Sequence, residues 1–361
     1  MRSLLAGAIA LLLMTPASAQ IRKFKDWLAA CDNQRNCVAY SWNRDSYNAY
    51  LRIQRDGAPS ADARLTLAIS SEKPVRFKVE AAADPGLFPP GEIADLPVDN
   101  DNHTRLHAEA PADKIAAWVR KTQKLQVYQI DPPLLDNDNK LDGIPLTGAL
   151  EALAWIDTQQ LRAGSETAFV RRGKKSVVLL PQQPALPVIT AAKPGTARVP
   201  AEPPPALAAR ANATCGKGSI DADLKKTERL AAGQLLHFFF CGQHSGAAGM
   251  NHAFLLMPDG KPKAAVKPRF VLPPQVASHI TVGDLKIPKN RDAVWNPEFD
   301  PAALTLTSIS IWRAGGDCGE ILKWVWTGRE FQVAEFSAMP ECEGLPPSDW
   351  PVLYSAQVRV R

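Results

Sequence analysis

The chain has 361 residues, of which 42 are lysine or arginine and 37 are aspartate or glutamate, giving a formal net charge of +5. The two signs are mixed along the chain without a basic block, which argues against a nucleic-acid-binding protein. The length exceeds that of one ordinary core and predicts two domains of about 150 residues each. No cofactor-binding motif is recognised, so no cofactor is expected.

The first 19 residues have the pattern of a cleaved signal peptide. Arg2 supplies a positive charge, Leu4 to Met14 form an apolar run, and Ala17-Ser18-Ala19 has the small residues that signal peptidase requires. The apolar run is shorter than the roughly 18 residues of a membrane-spanning helix. We therefore expect cleavage after Ala19 and a periplasmic protein without a transmembrane anchor.

Six cysteines follow this segment, and an even number in an exported protein predicts disulfides. The stretch CDNQRNC lacks the two-residue spacing of a redox motif, and Asp32 would raise the pKa of the neighbouring thiol, so we interpret it as a structural staple. Fifteen pairings are formally possible. The expected set is Cys31–Cys37, Cys215–Cys241 and Cys318–Cys342.

Residues 20–180 are predicted to form a β-rich domain with two helices. Strand length and alternation occur at residues 64–70, 76–81, 124–130 and 167–173. One helix is predicted to begin near Pro111, with an apolar face of Ile115, Trp118 and Val119. The second covers 147–164, capped by Thr147 and ended by Gly164, with an apolar stripe of Leu150, Leu153, Ile156 and Leu161.

A Pro/Ala-rich linker is predicted at residues 181–211. Residues 181–205 contain eight prolines and few large apolar side chains. Such composition favours extended, polyproline-like conformations over packing against a core. We therefore expect a semi-rigid spacer and a loose relative orientation of the two domains.

Residues 212–361 are predicted to form an almost wholly β domain. Alternating apolar runs separated by Pro, Gly and Asp predict strands at 235–241, 252–257, 279–285, 304–312, 322–326, 330–336 and 353–360. The apolar phase changes between Leu306 and Ile309, which predicts a β-bulge. Thr327-Gly328 predicts a tight turn that places Trp326 and Phe331 in the same region of one sheet.

Several motifs together resemble known families of exported bacterial proteins. Residues 24–27 (FKDW), 31–33 (CDN) and Cys37, followed by LRIQRD, LPVDND and LDGIPLTGALEALAWID, are similar to the invasion-associated locus B family. Residues 152–157 (ALAWID), with Gln160, Arg162 and Gly164, and the later GDCGE and WVWTGREF stretches, resemble a longer domain-of-unknown-function family of Gram-negative bacteria. This resemblance implies a periplasmic or secreted β-rich protein and supplies no reaction.

Two stretches suggest metal or nucleophile sites. DNDNKLDG (136–143) has calcium-type oxygen donors, but its spacing departs from that of a calcium loop, so a polar turn is favoured. His237, His244 and His252 surround Cys241 and could hold zinc if that cysteine were a free thiolate. We favour a core histidine at His237 and no metal site. Residues 242–246 (GQHSG) do not match a nucleophile elbow, although the small-residue loop GQHSGAAGMN is of a type often found near ligands.

Asp157 and the tryptophans are the remaining candidates. Asp157 lies on the apolar side of the second predicted helix, where a carboxylate must be paired or hydrogen-bonded, or act as a general acid or base with a raised pKa. We favour a structural role, either an ion pair or a bond to backbone amides, with Arg162 or an arginine of a strand such as Arg171 as the donor. Aromatic residues concentrate in the last third of the chain. Most should be core, but exposed tryptophans could form a ligand surface for a glycan or peptide, with candidates Trp312, Trp324 and Trp326.

The sequence as a whole predicts an α+β protein that is predominantly β, with two disulfide-stabilised domains. It favours a non-enzymatic binding or envelope-interaction module whose partner is an envelope glycan, peptide or protein. Two alternatives stay open. One is a hydrolase of an envelope glycan or peptide that uses Asp157, His244 or a carboxylate near Glu320, and the other is a periplasmic metal-binding protein. An enzyme requires at least two convergent titratable groups in one cleft.

Overall fold

The computed structural model describes residues 20–42, 49–81, 87–89, 91–94, 96–131, 140–200, 202–215, 220–221, 225–244, 250–277, 281–282, 285–286 and 294–361. The elements of its first half are β1 (Gln20–Phe24), β2 (Trp27–Cys31), β3 (Cys37–Trp42), β4 (Ala49–Arg55), β5 (Ala63–Ser70), β6 (Arg76–Ala81), β7 (Glu92–Ile93), β8 (His103–Ala110), α1 (Ala112–Lys121), β9 (Lys124–Asp131), β10 (Lys140–Pro145) and α2 (Ala149–Gln159).

The second half is also mostly β, which confirms the predicted fold class. Its elements are β11 (Val188–Ala191), α3 (Ala208–Thr214), β12 (Lys225–Ala231), β13 (Gln234–His244), β14 (Met250–Pro258), β15 (Phe270–Val271), α4 (Pro274–Ala277), β16 (Thr281–Val282), β17 (Leu285–Lys286), β18 (Val294–Trp295), β19 (Glu298–Asp300), β20 (Thr305–Ile311), β21 (Gly319–Trp326), β22 (Phe331–Met339), β23 (Val352–Ser355) and β24 (Gln357–Val360). Among the described helices, none is long and apolar enough to cross a membrane.

A six-stranded antiparallel sheet, the central sheet, lies in the middle of the molecule, with strand order β1-β2-β3-β4-β5-β8. Every residue of β2 and β3 is buried. Trp27 and Leu51 point to a core that includes α1, α2 and the small sheet β10-β9-β6-β7. Tyr40 and Trp42 point to the opposite face and share a core with the second half of the chain. The central sheet is therefore covered on both faces.

The two predicted helices exist, but the second begins and ends differently from the prediction. Helix α1 buries Ile115, Trp118 and Val119, as expected. Helix α2 is preceded by Gly148, at φ 96°, where a Cβ atom would collide with the carbonyl oxygen of Phe24, and no side chain caps the helix. Thr147 is therefore not the cap. The helix ends at Gln159, so Leu161 leaves the apolar stripe and is exposed.

Two sheets of the second half form a sandwich. One has strand order β12-β13-β14-β18, and the other has β15-β22-β21-β20-β19 with β23 beside β22. Phe238 and Phe254 of the first sheet share a core with Phe299 and Trp324 of the second. The ring centroids of Phe238 and Phe299 are 6.2 Å apart. Large aromatics in alternating positions thus fill the space between the sheets.

Three disulfides fix the ends of elements, and they join the expected pairs Cys31–Cys37, Cys215–Cys241 and Cys318–Cys342. The first closes the loop between β2 and β3. The second ties α3 to β13, beside a small core on the outer face of the first sandwich sheet. Crosslinks of this kind stabilise mainly by restricting the unfolded chain.

The Pro/Ala-rich segment is packed along part of its length, so the expectation of an unpacked spacer is wrong there. Strand β11 pairs in parallel with β24. Ile189 and Ala191 are buried against Val325 and Ala334 of the second sandwich sheet. Residues of Val188–Ala191 are alternately exposed and buried, so this strand has one buried face although prolines surround it. The predicted domain boundaries themselves stay a prediction.

Three further expectations differ from the structure or lie partly outside it. Residues 167–173 form bends and irregular structure instead of a strand. Strands β20 and β21 pair without a register shift, so the predicted bulge is wrong. The apolar phase changes because Ser308 occupies a buried position and Ile309 points to the other face. A register shift does occur between Lys323 and Trp324, in the pairing of β21 with β22. The strand predicted at 279–285 lies partly outside the described residues. Trp326 and Phe331 do pair across the predicted turn.

Packing of the Pro/Ala-rich segment is testable with two neighbouring substitutions. Ile189→Ala should lower the free energy of unfolding by about 2 kcal/mol because it removes a buried side chain. Val188→Ala, on the exposed face of the same strand, should change it by less than about 0.5 kcal/mol. Urea unfolding followed by tryptophan fluorescence measures both. Equal effects of the two substitutions would contradict the pairing of β11.

Candidate functional site

The tryptophan ligand surface expected from the sequence is largely absent. Trp324 and Trp326 have no exposed surface and belong to the core of the sandwich. The indole nitrogen of Trp326 donates to Gln234 at 3.2 Å. Trp312 is partly exposed. Because alternation on β21 directs both of the other tryptophans inward, they stabilise the fold and cannot stack on a glycan or peptide.

The histidines around Cys241 do not share a thiolate, because Cys241 is in a disulfide. His237 lies on the Cys241 face of β13, fully buried, with Nδ1 at 2.9 Å from the hydroxyl of Thr227. Burial lowers the pKa of His237 to about 4. Backbone pairing places His244 opposite Met250 at the end of β13, and its side chain, like Ser245, lies outside the described residues. His237 is thus the core histidine that the sequence favoured.

A second group of potential metal ligands is also engaged in other bonds. Asp317, Cys318 and Cys342 lie within ligand distance of one another, but the two cysteines form a disulfide. The carboxylate of Asp317 accepts bonds from Arg313 and from the backbone N–H of Gly344. Residues 136–139 of the calcium-like stretch lie outside the described residues, and residues 140–143 belong to β10.

Asp157 is buried and its carboxylate is saturated with hydrogen bonds. The backbone N–H groups of Phe169, Val170 and Arg171 donate to it at 2.8–3.1 Å. The guanidinium of Arg55 donates at 3.1 Å. The structural role favoured from the sequence therefore fits, with backbone amides and a strand arginine as donors. The side chains of Arg162 and Arg171 bond to other groups. The sequence missed Arg55 because it lies about 100 positions away on β4.

Asp157 sits within a larger buried network. Arg55 also donates to Gln160 at 2.6 Å, and its guanidinium stacks 3.9 Å from the ring centre of Phe169. Burial, followed by the charge of Arg162, lowers the pKa of Arg55 to about 9. The network connects α2 to β4 and to the turns after the helix. It therefore fixes the packing of α2 on the central sheet.

A second buried carboxylate, Asp349, connects the halves of the chain. It accepts bonds from Arg52 at 3.0 Å, from Arg105 and from the hydroxyl of Tyr50, and its backbone carbonyl accepts the hydroxyl of Tyr40 at 2.6 Å. Burial raises the pKa of Asp349 to about 7, whereas the two guanidinium groups favour the ionised form. These contacts hold the segment before β23 against the central sheet.

The candidate site is a cleft of about 430 Å³ at one edge of the sandwich, called here the sandwich cleft. Its volume falls within the range of small-molecule sites. Strands β12, β13 and β14 contribute from one sheet, and β19 with the residue before it contributes from the other. The cleft is lined by Lys225, Lys226, Phe238, Phe240, Met250, His252, Pro297, Glu298 and Phe299.

Alternation along β13 explains the apolar interior of the sandwich cleft. Phe238 and Phe240 point between the sheets, whereas Phe239 points to the small core beside Cys215 and Cys241. The three consecutive phenylalanines are therefore explained by the burial of β13 on both faces. Met250, at the start of β14, is 41% exposed. It supplies apolar surface at the opening of the sandwich cleft.

Polar groups in the sandwich cleft lie at its rim. Lys225 and Lys226 are exposed on β12, and Glu298 is exposed on β19. The ring of His252 lies 5.7 Å from that of Phe240, and its Nδ1 is 3.2 Å from the carbonyl oxygen of Met250. Burial lowers the pKa of His252, which favours its neutral form. An apolar interior with a charged rim is suited to binding a ligand with an apolar part.

Sequence reasoning missed most of the sandwich cleft. Phe299 and Glu298 lie in a three-residue strand, and nothing local connects them to Phe238, some 60 positions earlier. The one useful signal was the small-residue loop GQHSGAAGMN, whose last two residues begin β14. Its central residues, 245–249, lie outside the described residues.

The burial of His237 predicts a pH dependence of stability. Its pKa is about 4 in the folded protein and about 6.5 in the unfolded chain, so the unfolded state binds more protons between these values. Stability is thus full above pH 6.5 and is lost as the pH falls toward 4. Lowering the pH from 7.5 to 5 should cost about 2 kcal/mol through this group. Urea unfolding of the wild type and of His237→Gln measures the difference, and an equal pH dependence of both would contradict it.

Removal of the Asp157 carboxylate should be strongly destabilising. Asp157→Ala leaves the buried guanidinium of Arg55 and three backbone N–H groups without their acceptor, so we expect a loss of about 3–5 kcal/mol. Glu151→Ala changes an exposed carboxylate on the same helix and should cost less than about 1 kcal/mol. Thermal unfolding by circular dichroism compares the two. A small loss for Asp157→Ala would contradict the saturated geometry.

A family model and a relative agree with the resemblance to a domain-of-unknown-function family seen in the sequence. Uncharacterized protein YpfG of Escherichia coli strain K12 is 26% identical over 349 residues, which cover 95% of this chain and 94% of that protein. The crystal structure of invasion associated protein B from Bartonella henselae matches 39% of this chain and 98% of its own, with 15% identity and a TM-score of 0.28. A family model described as "Protein of unknown function (DUF1176)" matches residues 21–357. The chain belongs to this family.

Proposed function

We propose that the protein is an exported, periplasmic, non-enzymatic binding protein whose ligand site is the sandwich cleft. The observation that carries the proposal is the combination of volume and lining. About 430 Å³ of space is walled by phenylalanine and methionine and bordered by lysine and glutamate. Small-molecule sites are typically apolar concavities with a few polar groups that orient the ligand.

Export is supported by the cysteines and by the first 19 residues. Three disulfides persist in oxidising compartments such as the bacterial periplasm. The charged start, apolar run and small residues of 1–19 have the pattern of a signal peptide cleaved after Ala19. A protein held by disulfides suits an envelope location.

Binding is favoured over hydrolysis and metal binding because three of the residues named for those activities, Asp157, Glu320 and Cys241, lie in the interior or in a disulfide. The carboxylate of Asp157 accepts four hydrogen bonds in the protein interior. Glu320 is buried within the second sandwich sheet, and Cys241 is in a disulfide. The charged groups of the sandwich cleft, Lys225, Lys226 and Glu298, are at its rim, where they can orient a ligand.

Fluorescence of the neutral probe N-phenyl-1-naphthylamine tests the apolar site directly. We expect saturable binding to one site, because the probe gains an apolar environment. Met250→Asp should weaken binding about fivefold or more, since it puts a carboxylate on the apolar wall. Val352→Asp is the matched control, because Val352 is 39% exposed against 41% for Met250 and does not line the cleft. Absence of binding, or equal weakening by both substitutions, would overturn the proposal.

A further inference from the structure

The rim of the sandwich cleft carries its cations on one side. Lys226 is directly opposite Phe238 in the pairing of β12 with β13, so both side chains lie on the face of the sheet that borders the cleft. Lys225 precedes it and is opposite Phe239, so its side chain starts from the other face of this edge strand, although Lys225 also borders the cleft. Glu298 is on β19, in the facing sheet. The β12 side of the opening is thus cationic and the β19 side is anionic.

The two ammonium groups already contact carboxylates but keep the capacity to bind an acid. Lys226 is 2.6 Å from Glu228, and Lys225 is 3.0 Å from Glu202. An ammonium has three donors, and each of these contacts occupies one of them. The side chain of Lys226 is 62% exposed, whereas that of Glu228 is 14% exposed, so the two remaining donors of the ammonium face solvent while the pair itself is half-buried. An incoming acid can therefore receive a bond from Lys226 without loss of the contact between Lys226 and Glu228.

The interior of the sandwich cleft requires an apolar group on the same ligand. Phe238, Phe240, Phe299 and Met250 provide no charged group to a ligand inside it. His252 is held toward its neutral form by burial. A charged headgroup would lose its hydration inside the cleft without a partner, and so it must remain at the rim. Of the two rims, the lysine side favours an anion and Glu298 repels one.

We infer that the ligand of the sandwich cleft is a single-chain amphiphile with an anionic headgroup. Its alkyl chain lies between the sheets, and its carboxylate or phosphate lies against Lys226. The inference rests on the proposed function and adds the chemical class of the ligand. Free fatty acids and phosphorylated single-chain lipids share this chemistry.

Isothermal titration calorimetry with four dodecyl compounds below their micelle concentrations tests this inference. The ligands are dodecanoate, dodecyl phosphate, the neutral monododecanoyl glycerol and the cationic dodecyltrimethylammonium. The two anions should bind at least about tenfold more tightly than the neutral and cationic compounds. Raising the salt concentration should reduce this advantage, because the headgroup contact is at the surface. Preference for one anion over the other distinguishes a carboxylic acid from a phosphate.

Three lysine variants isolate the headgroup contact. Lys226→Gln should remove most of the advantage of the anions and leave binding of the neutral compound within about twofold. Lys226→Arg keeps the charge and should retain the advantage. Lys323→Gln removes an exposed lysine that does not line the cleft and should behave as the wild type. Circular dichroism establishes that each variant is folded. The salt dependence of binding to the wild type tests the headgroup contact without any variant.

The outcomes separate the inference from the proposed function. Equal binding of anionic and neutral compounds, unaffected by Met250→Asp, would overturn both. Equal binding that Met250→Asp weakens would overturn the anionic headgroup and keep the apolar site. Tightest binding of the cation would assign recognition to Glu298 and overturn the role of Lys226. Binding of none of the four compounds, together with failure of the neutral fluorescent probe, would remove the sandwich cleft as a ligand site.

Discussion

Burial of the central sheet on both faces is the constraint on which the rest of the structure depends. An antiparallel sheet with one covered face can leave polar residues toward water, but β2 and β3 have no such face. Their few polar groups must therefore find partners inside the protein. Ser41 and Trp27 donate to the carbonyl oxygen of Pro145 on one face, and Tyr40 donates to the carbonyl oxygen of Asp349 on the other. Each half of the chain supplies acceptors for the same sheet.

The loop closed by Cys31 and Cys37 meets three parts of the chain. Asn33 exchanges two hydrogen bonds with the backbone of Ser355, at 2.9 Å each. Asn36 accepts from Gln183, and the carbonyl of Arg35 accepts from Gln160 at the end of α2. Asp32 holds the loop itself together by accepting from Asn36. The disulfide is thus a staple whose enclosed polar residues connect the helix, the Pro/Ala-rich segment and β23, which gives the CDNQRNC pattern a structural reason.

Local patterns predicted local features well, and failures arose where distant residues decide. Alternation located most of the strands of the second half, and helical spacing located α1, because these signals depend on neighbours in sequence. The start of α2 depends on the approach of Phe24 to Gly148, which no pattern near residue 148 encodes. Similarly, 167–173 has the composition of a strand, yet its amides bind Asp157. The sandwich cleft combines strands from two sheets, so the small-residue loop before β14 was its one local signal in the sequence.

The bond between Asn33 and Ser355 spans 322 positions, and this separation sets the order in which the molecule can be completed. At a synthesis rate of roughly 5–20 residues per second, on the order of tens of seconds pass between production of the first partner and of the second. Asp349, which accepts bonds from Tyr40 and Tyr50, is produced only six residues before Ser355. A sheet face that lacks its partners during synthesis exposes apolar surface, which chaperones bind and which promotes aggregation. The incomplete chain is therefore more prone to aggregation than the folded protein.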